Sequence, residues 1–224
     1  MAGPIAVLFD IDETLVHTGD SGRRSWSWAF DRLHGVAADI GKHTSAGETD
    51  PQVGRETFNA VLGREPNCDE MVRLYAAYLR HLSEDIWTSE GYRVLDGVEE
   101  TLQRIADAGV ILGLLSGAME GAARIKLEPG KLGHYFVFGA YGSDSPDRAE
   151  ITRLAMAKAA RLHGRDLTRA DVYVVGDTPR DIEAAHAAHA TAVGVASGRY
   201  TAEELRAAEA DHVLTALTEA FPNL

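Results

Sequence analysis

The sequence predicts an α/β fold built on a doubly wound parallel sheet, with a helical segment inserted after the first strand. Short apolar runs alternate with amphipathic, Ala-rich helical patterns, and this order is typical of a parallel sheet with helices on both faces. One long stretch near the N-terminus breaks the alternation, because its patterns are helical. A chain of 224 residues is long enough for one such domain with a small insertion and too short for two large domains.

Four apolar runs are too short for helices and are followed by polar or small residues, so we predict that they are buried parallel strands. They cover residues 5–9, 110–115, 172–175 and 191–195. Apolar residues at spacings of three and four predict helices between the later strands. These helices cover residues 98–108, 149–163 and 179–188.

Residues 17–93 offer helical patterns around 26–33, 53–62 and 69–82, and no convincing strand. We therefore predict a helical cap domain over 17–93 and an α/β core domain formed by 1–16 and 94–224. The turn-rich segment 41–54 is predicted to join two of the cap helices.

The composition excludes several classes of partner. The formal net charge is −12, and Lys and Arg form no cluster interleaved with aromatic residues. Such a surface repels nucleic acid and anionic membranes. Cys68 is the single cysteine, which excludes an intrachain disulfide and suits a reducing cytoplasm. No secretion signal is visible, and the longest nearly apolar stretch, 108–115, falls far short of the roughly 20 residues that span a bilayer.

The first predicted strand ends in Phe9-Asp10-Ile11-Asp12-Glu13-Thr14. Residues two apart in extended backbone project from the same face, so Asp10, Asp12 and Thr14 are expected on one side. Ligands bind at the carboxyl ends of strands in open α/β sheets. The simpler alternative is that the Asp residues only cap and solvate a strand end. A second acidic motif argues against it.

That motif, Gly176-Asp177-Thr178-Pro179-Arg180-Asp181, also follows an apolar strand, and its residues suit a tight turn, an N-cap and a first helical proline. Asp181 lies about one helical turn beyond Asp177, so both carboxylates can face one place. With Asp10 and Asp12 they form an all-oxygen set suited to a hard cation that keeps several waters, which describes Mg²⁺.

A third predicted strand ends in Ser116-Gly117-Ala118. A hydroxyl and successive backbone N–H groups at the start of a helix bind phosphate well. Taken alone, a Ser-Gly pair after a strand is an ordinary turn, so this motif gains its meaning from the two acidic ones.

These motifs, in this order and at strand ends, resemble the haloacid dehalogenase superfamily, and the helical insertion resembles the cap of its phosphoglycolate phosphatase-like branch. The resemblance implies a magnesium-dependent phosphatase that acts on a small phosphorylated metabolite through an aspartyl-phosphate intermediate. It implies that Asp10 attacks phosphorus and that Asp12 shuttles a proton.

The resemblance also assigns the binding residues. Phosphate contacts are expected from Thr14, Ser116, Gly117 and a basic residue. The metal is expected at Asp10, Asp177 and the backbone carbonyl of Asp12, with Asp181 as a further ligand or an outer-shell partner.

The basic residue departs from the family's usual Lys-Pro pair, because Gly142-Ser143-Asp144-Ser145-Pro146-Asp147-Arg148 stands before the helix. We assign the role to Arg148, at an exposed helix start from which it could make a two-pronged contact to phosphate. Arg153 and Lys158 remain alternatives.

A second departure is Glu13, where Gly is frequent. With Leu15-Val16-His17 it locally resembles the protein phosphatases of the RNA polymerase tail, which lack a large cap at this point.

Other functions on the same motifs stay open. A phosphosugar mutase would return the phosphate to its product, and a phosphonate hydrolase would need a cap lysine, for which Lys42 is the candidate. The intact acidic set disfavours a dehalogenase, and a non-catalytic binding protein would not need these residues together. We expect a monomer or a homodimer.

Overall fold

The computed structural model describes residues 3–45 and 47–224, and within them lie eight β-strands and eight α-helices. The strands are β1 (Ala6–Phe9), β2 (Val16–Thr18), β3 (Tyr92–Val94), β4 (Ile111–Ser116), β5 (Phe138–Tyr141), β6 (Val172–Gly176), β7 (Thr191–Val195) and β8 (His212–Leu214). The helices are α1 (Ser21–His34), α2 (Asp50–Leu62), α3 (Cys68–Asp85), α4 (Val98–Asp107), α5 (Glu120–Leu127), α6 (Arg148–His163), α7 (Pro179–Ala187) and α8 (Ala202–Ala207).

Six strands of the described chain form one parallel sheet in the order β5-β4-β1-β6-β7-β8. Phe9 of β1 is paired with Leu114 of β4 on one side and with Val175 of β6 on the other. Alternate residues of β1 join two apolar clusters, Val7 and Phe9 on one face and Leu8 on the other. Burial of both faces is typical of parallel sheets, and the architecture confirms the predicted doubly wound α/β fold.

The strand order reverses at β1. From β1 the sheet extends through β4 to β5 in one direction and through β6 to β8 in the other. This reversal creates a topological switch point, and in such sheets the crevice outside the carboxyl ends of the strands binds ligands. The loops that follow β1, β4 and β6 therefore meet at one place.

The segment between β1 and β4 carries an antiparallel ribbon of β2 and β3, with Val16 paired to Val94, and helices α1 to α3 lie between these two strands. Trp26 of α1 stacks on Tyr78 of α3, with ring centroids 4.3 Å apart. Both residues belong to the same apolar cluster as one face of the parallel sheet. The division into a cap domain over 17–93 and a core domain stays a prediction.

The structure corrects the predicted turn-rich segment 41–54 over its last part, because α2 begins at Asp50. Thr49 and Gln52 form a capping box, in which Gln52 Oε1 accepts the backbone N–H of Thr49 at 3.0 Å and Thr49 Oγ1 accepts that of Gln52 at 3.4 Å. A polar, Pro-containing stretch thus starts a helix where we predicted a turn. Ala46, in the same segment, lies outside the described residues, as do Met1 and Ala2.

Four strands, β2, β3, β5 and β8, are absent from the sequence prediction. β2, β3 and β8 have three residues each, so none of them shows the longer apolar run by which the other strands are predicted. β5 ends the apolar run 135–141, which the sequence prediction did not assign to a strand. Among the helices in the described part of the chain, none is both long and apolar enough to cross a bilayer.

Candidate active site

Three buried carboxylates meet at the switch point. Asp10 follows β1, Asp177 follows β6 and Asp181 is the third residue of α7, and one carboxylate oxygen of each lies within 4.8 Å of the others. The acidic residues that the sequence places on two different strand ends are therefore brought together by the pairing of β1 with β6.

Burial, together with nearby carboxylates, raises the pKa of Asp10 and of Asp177. Burial, followed by the nearby Asp181, raises the pKa of Asp10 to about 7, although Arg148 acts in the opposite direction. Burial, followed by Asp181, Asp10 and Glu13, raises the pKa of Asp177 to about 9. A cluster that retains protons near neutral pH favours a cation in their place. Its oxygen donors fit a hard divalent ion such as Mg²⁺.

The start of α7 fixes Asp181. One oxygen of its carboxylate, Oδ2, accepts the backbone N–H of Thr178 at 3.1 Å and the Thr178 hydroxyl at 2.7 Å. The other oxygen pairs with the guanidinium of Arg148. Two glycines make room for the cluster, because a Cβ on Gly176 would collide with Asp181 and one on Gly198 would collide with Asp177.

Arg148 is the basic residue that the structure places beside the carboxylates. It is the first residue of α6, its Nη2 lies 3.6 Å from Asp10 Oδ1, and its side chain is 12% exposed. The expectation of an exposed helix start is therefore wrong. Burial by itself would lower the pKa of Arg148, but Asp181 and Asp10 raise it above its ordinary value, so the guanidinium stays charged.

The two alternatives to Arg148 lie elsewhere. Arg153 points to the Ala187 carbonyl at 3.4 Å. Lys158 donates to the Gly139 carbonyl at 2.6 Å. Lys42, the cap lysine considered for Schiff-base chemistry, is 75% exposed and lies 3.9 Å from Asp39.

The loop after β4 lies against Arg148. A Cβ on Gly117 would sit 2.8 Å from Arg148 Nη1 and 2.9 Å from the Glu48 carbonyl oxygen. Ser116 is buried at the end of β4, and its hydroxyl accepts the backbone N–H of Ala118 at 3.2 Å. The predicted phosphate-binding turn therefore adjoins the basic residue, and a residue with a Cβ would not fit at Gly117.

The extended geometry expected for residues 10–14 is wrong. β1 ends at Phe9, and the chain turns at Glu13, whose φ of 58° lies in the left-handed region. That conformation explains why Gly suits this position. Thr14 is fully buried, and its hydroxyl has no hydrogen-bond partner within the described residues. The phosphate contact of Thr14 stays a prediction.

Asp12 lies beside the carboxylate cluster and is partly exposed. Its backbone bridges to Val16, and its Oδ2 lies 2.6 Å from the ammonium of Lys126 on α5. Lys126 stands 114 positions away in sequence, so no local pattern indicates it.

Sequence reasoning also missed the acidic residues before and at the start of α2. The carboxylate of Asp50 accepts the backbone N–H of Met119 at 2.8 Å, and the backbone N–H of Asp50 donates to the Gly117 carbonyl at 2.8 Å. Glu48 is largely buried and lies 3.2 Å from Arg180. The capping box before Asp50 was the available signal for its helix, but not for its contact with the phosphate-binding turn.

The fold and the carboxylate cluster are those of a haloacid dehalogenase-type enzyme, and the family comparison agrees. A model of the haloacid dehalogenase-like hydrolases matches residues 6–189. The chain belongs to this family of hydrolases, which confirms the resemblance seen in its motifs.

Two similar proteins carry phosphatase names. Pyrophosphatase PpaX of Bacillus velezensis is 27% identical over 218 residues, which cover 96% of this chain and 93% of the relative. Phosphoglycolate phosphatase of Salmonella paratyphi A is 26% identical over 179 residues, which cover 76% of this chain and 68% of the relative. The family and these names support the prediction of a phosphatase enzyme.

A solved structure shares the fold. The crystal structure described as a predicted phosphoglycolate phosphatase from Haemophilus somnus matches with a TM-score of 0.73 at 20% identity, over 97% of this chain and 96% of that one. This likeness establishes the architecture alone.

Proposed function

We propose that the protein is a magnesium-dependent phosphatase that hydrolyses a small-molecule phosphate monoester through an aspartyl phosphate on Asp10. One observation carries the proposal: the buried carboxylates of Asp10, Asp177 and Asp181 converge beside the guanidinium of Arg148, whose side chain is largely buried. Such a site can hold a divalent cation and, next to it, a phosphate dianion.

Asp10 is the proposed nucleophile. In the first half-reaction, an Asp10 carboxylate oxygen bonds to phosphorus, the bond to the ester oxygen breaks, and Asp12 gives its proton to that leaving oxygen. In the second, a water oxygen bonds to phosphorus, Asp12 takes a proton from the water, and the bond to Asp10 breaks. The products are an alcohol and inorganic phosphate, and the enzyme returns to its starting state.

Arg148, Ser116 and Gly117 are the proposed phosphate-binding residues. Arg148 lies 3.6 Å from Asp10 and adjoins the turn at Gly117. A guanidinium can bind two phosphate oxygens at once, and backbone N–H groups at a helix start add partial positive charge. Together they offset the repulsion between the phosphate and the acidic cluster.

Mg²⁺ would be held by Asp10, Asp177 and the backbone carbonyl of Asp12. The contacts of Asp181 with Thr178 and Arg148 favour an outer-shell position for its carboxylate. When bound, the ion supplies the positive charge that allows a carboxylate to approach a phosphate.

The predicted cap over 17–93 is the proposed selector of the substrate, because the core motifs hold only the phosphate. Its segment around Glu48 and Asp50 contacts Gly117, Met119 and Arg180, and so lies over the proposed phosphate site. Closure of this segment would shield the aspartyl phosphate from untimely water. The relatives' names make phosphoglycolate and pyrophosphate the first compounds to test.

The test is a screen of phosphorylated metabolites for release of inorganic phosphate, with and without Mg²⁺. We expect release that requires Mg²⁺ and that Asp10→Asn reduces to background. Asp166→Asn, the same change at an exposed position, is the matched control and should behave as the parent.

The same screen identifies the competing activities. Isomerised sugar phosphate without net phosphate release would indicate a mutase, and phosphate released from a carbon–phosphorus bond would indicate a phosphonate hydrolase. Phosphate-ester binding without turnover would indicate a binding protein. Full turnover after thorough chelation would overturn the proposed metal requirement.

A further inference from the structure

Lys126 is a buried cation that the mechanism above does not use. Its Nζ lies 2.6 Å from Asp12 Oδ2, and its side chain is 7% exposed whereas that of Asp12 is 42% exposed. The lysine therefore contacts Asp12 from the protein interior, and the other side of the Asp12 carboxylate stays exposed to the crevice. A lysine is rarely buried unless it is paired, so this contact is a specific feature of the fold.

The surroundings of Lys126 hold its side chain in place. A Cβ on Gly22 of α1 would lie 4.0 Å from Lys126 Cε and 3.9 Å from the Tyr78 hydroxyl oxygen, so the lysine passes beneath the helices of the insertion. Its backbone carbonyl accepts the Tyr92 hydroxyl at 3.0 Å, which ties α5 to the β2–β3 ribbon. The ammonium is thus presented to Asp12 from a packed position.

Lys126 stays charged in this position. Burial by itself would lower the pKa of Lys126, but Asp12, Tyr78 and Asp50 together raise it above its ordinary value. A charged donor at 2.6 Å makes a strong, directional hydrogen bond to one carboxylate oxygen. Asp12, by contrast, lies on a turn after the end of β1 and is partly exposed, so its own packing constrains it less.

We propose that Lys126 is a positioning residue that fixes Oδ2 of Asp12 and so presents Oδ1 to the leaving oxygen and to the attacking water. The inference rests on the proposed function, because it assigns Asp12 the proton transfers described above. Misplacement of a catalytic group by about 1 Å can cost roughly 100-fold in rate. Loss of the lysine should therefore affect the steps that need Asp12, and not the binding of phosphate.

The experiment follows an aryl phosphate ester, whose leaving group needs little protonation, and an alkyl phosphate ester, whose leaving group needs a proton. Lys126→Met removes the charge and keeps most of the stem. We expect the burst of aryl alcohol to persist and kcat for the aryl ester to fall about 10- to 100-fold. Because only dephosphorylation slows, KM for this ester should fall with kcat, so that kcat/KM stays within about threefold of the parent value. The alkyl ester should lose its rapid first turnover as well. Lys126→Arg, which keeps a charged donor, should recover part of the rate.

A double-mutant cycle separates positioning from a general structural role. In the Asp12→Asn background, Lys126→Met should cause no further slowing of dephosphorylation, because the group that it positions is already gone. Equal slowing in both backgrounds, or an effect confined to KM, would overturn the proposal. Lys131→Met, the same change at an exposed position, should leave the kinetics as in the parent.

Folding and the proposed function are checked in the same set. Thermal unfolding and Mg²⁺ binding of each variant show whether the fold and the metal site persist, and Lys126→Gln, which keeps a neutral donor, replaces Lys126→Met if the latter does not fold. An aryl burst that survives Asp10→Asn would overturn the proposed function itself. That result differs from equal slowing in both backgrounds, which overturns only the role of Lys126.

Discussion

Arg148 is the positive charge that the structure sets directly against the carboxylate cluster. It pairs with Asp181 and lies 3.6 Å from Asp10, and it opposes the rise in the pKa of Asp10 that burial and Asp181 cause. Its removal leaves both carboxylates without this partner and leaves the proposed phosphate site without its guanidinium.

We expect Arg148→Ala to raise the inhibition constant for inorganic phosphate by about 10- to 100-fold, because the loss of a hydrogen bond to a charged group costs about 1.5–3 kcal/mol of binding free energy. The substitution should also lower the thermal stability of the metal-free protein, because the buried carboxylates of Asp10 and Asp181 lose their positively charged partner. Inhibition kinetics and thermal unfolding measure the two effects. Arg153→Ala, at an exposed site, is the control, and a larger defect in that variant would contradict the assignment of Arg148.

Asp12 should have a different role from Asp10, although the two residues are neighbours. Asp12→Asn keeps the proposed nucleophile and removes the acid and base, so with an aryl phosphate ester it should transfer the phosphoryl group and then stall. Quenching in acid should trap phosphate on Asp10 in a larger fraction of molecules than in the parent, as read by mass spectrometry. Phosphate on another residue would refute the mechanism.

At the scale of elements, the site depends on close approaches between a loop and a strand end. Gly198 follows β7, and a Cβ there would collide with the Asp177 carboxylate. Gly176 ends β6 and leaves similar room for Asp181. Glycine is needed at both positions because there is no room for a side chain. Backbone conformation is not the reason, since neither residue has a positive φ.

We predict that Gly198→Ala lowers the affinity for Mg²⁺ by about tenfold or more, because the methyl group must displace the Asp177 carboxylate or its own loop. Isothermal titration calorimetry measures this directly. Gly133→Ala is the matched control, since a Cβ there would meet nothing within 4 Å and Gly133 has no positive φ. Parent-like Mg²⁺ binding by Gly198→Ala would contradict the prediction that the methyl group displaces the Asp177 carboxylate.

The acidic cluster also predicts how stability depends on pH. The folded-state pKa of Asp10 is raised to about 7 and that of Asp177 to about 9, both well above the ordinary value of 3.8. Over that range the metal-free folded state binds more protons than the unfolded state. Its stability should therefore fall as pH rises from about 4 through both raised values.

Mg²⁺ should reverse this loss, because the ion takes the place of the protons. Its stabilising effect should thus be larger at pH 8.5 than at pH 6, under equal ionic strength, as measured by thermal unfolding with and without the ion. In Asp177→Asn this difference should shrink. A Mg²⁺ effect that decreases with rising pH would contradict the predicted pKa directions.

At the scale of the whole molecule, the insertion and the sheet are joined across the site. Asp50 bonds to Met119 and Gly117, Glu48 pairs with Arg180, and the apolar residues of both parts form one cluster. The described arrangement is therefore closed over the proposed phosphate site.

We predict that Asp50→Ala destabilises the protein by about 1–3 kcal/mol in urea unfolding, because the buried N–H of Met119 loses its acceptor. The insertion should also become more susceptible to limited proteolysis. Asp69→Ala removes an acidic residue from the first turn of α3, where it is exposed, and so controls for the helix-dipole term. Equal destabilisation by both changes would show that the contact with Met119 contributes nothing.

The sequence by itself determined the class of fold and most of the site's components. Buried parallel strands are nearly continuous apolar runs, and this local pattern predicted β1, β4, β6 and β7. Carboxyl ends of neighbouring parallel strands share one edge, so Asp10, Asp177 and Asp181 could be selected before their convergence was seen. Their roles remain proposals that the kinetic tests address.

Tertiary structure alone decided the features that depend on distant partners. β2 and β3 have three residues each and exist through their pairing with one another, which no local pattern displays. Lys126 reaches Asp12 across 114 positions, and Asp50 reaches Met119 across 69. The chain turns at Glu13, so residues 10–14 do not form the extended stretch that the sequence predicts. The physical reason is common to all: secondary structure follows from local periodicity, whereas the partner of a buried charge or a short strand is set by packing.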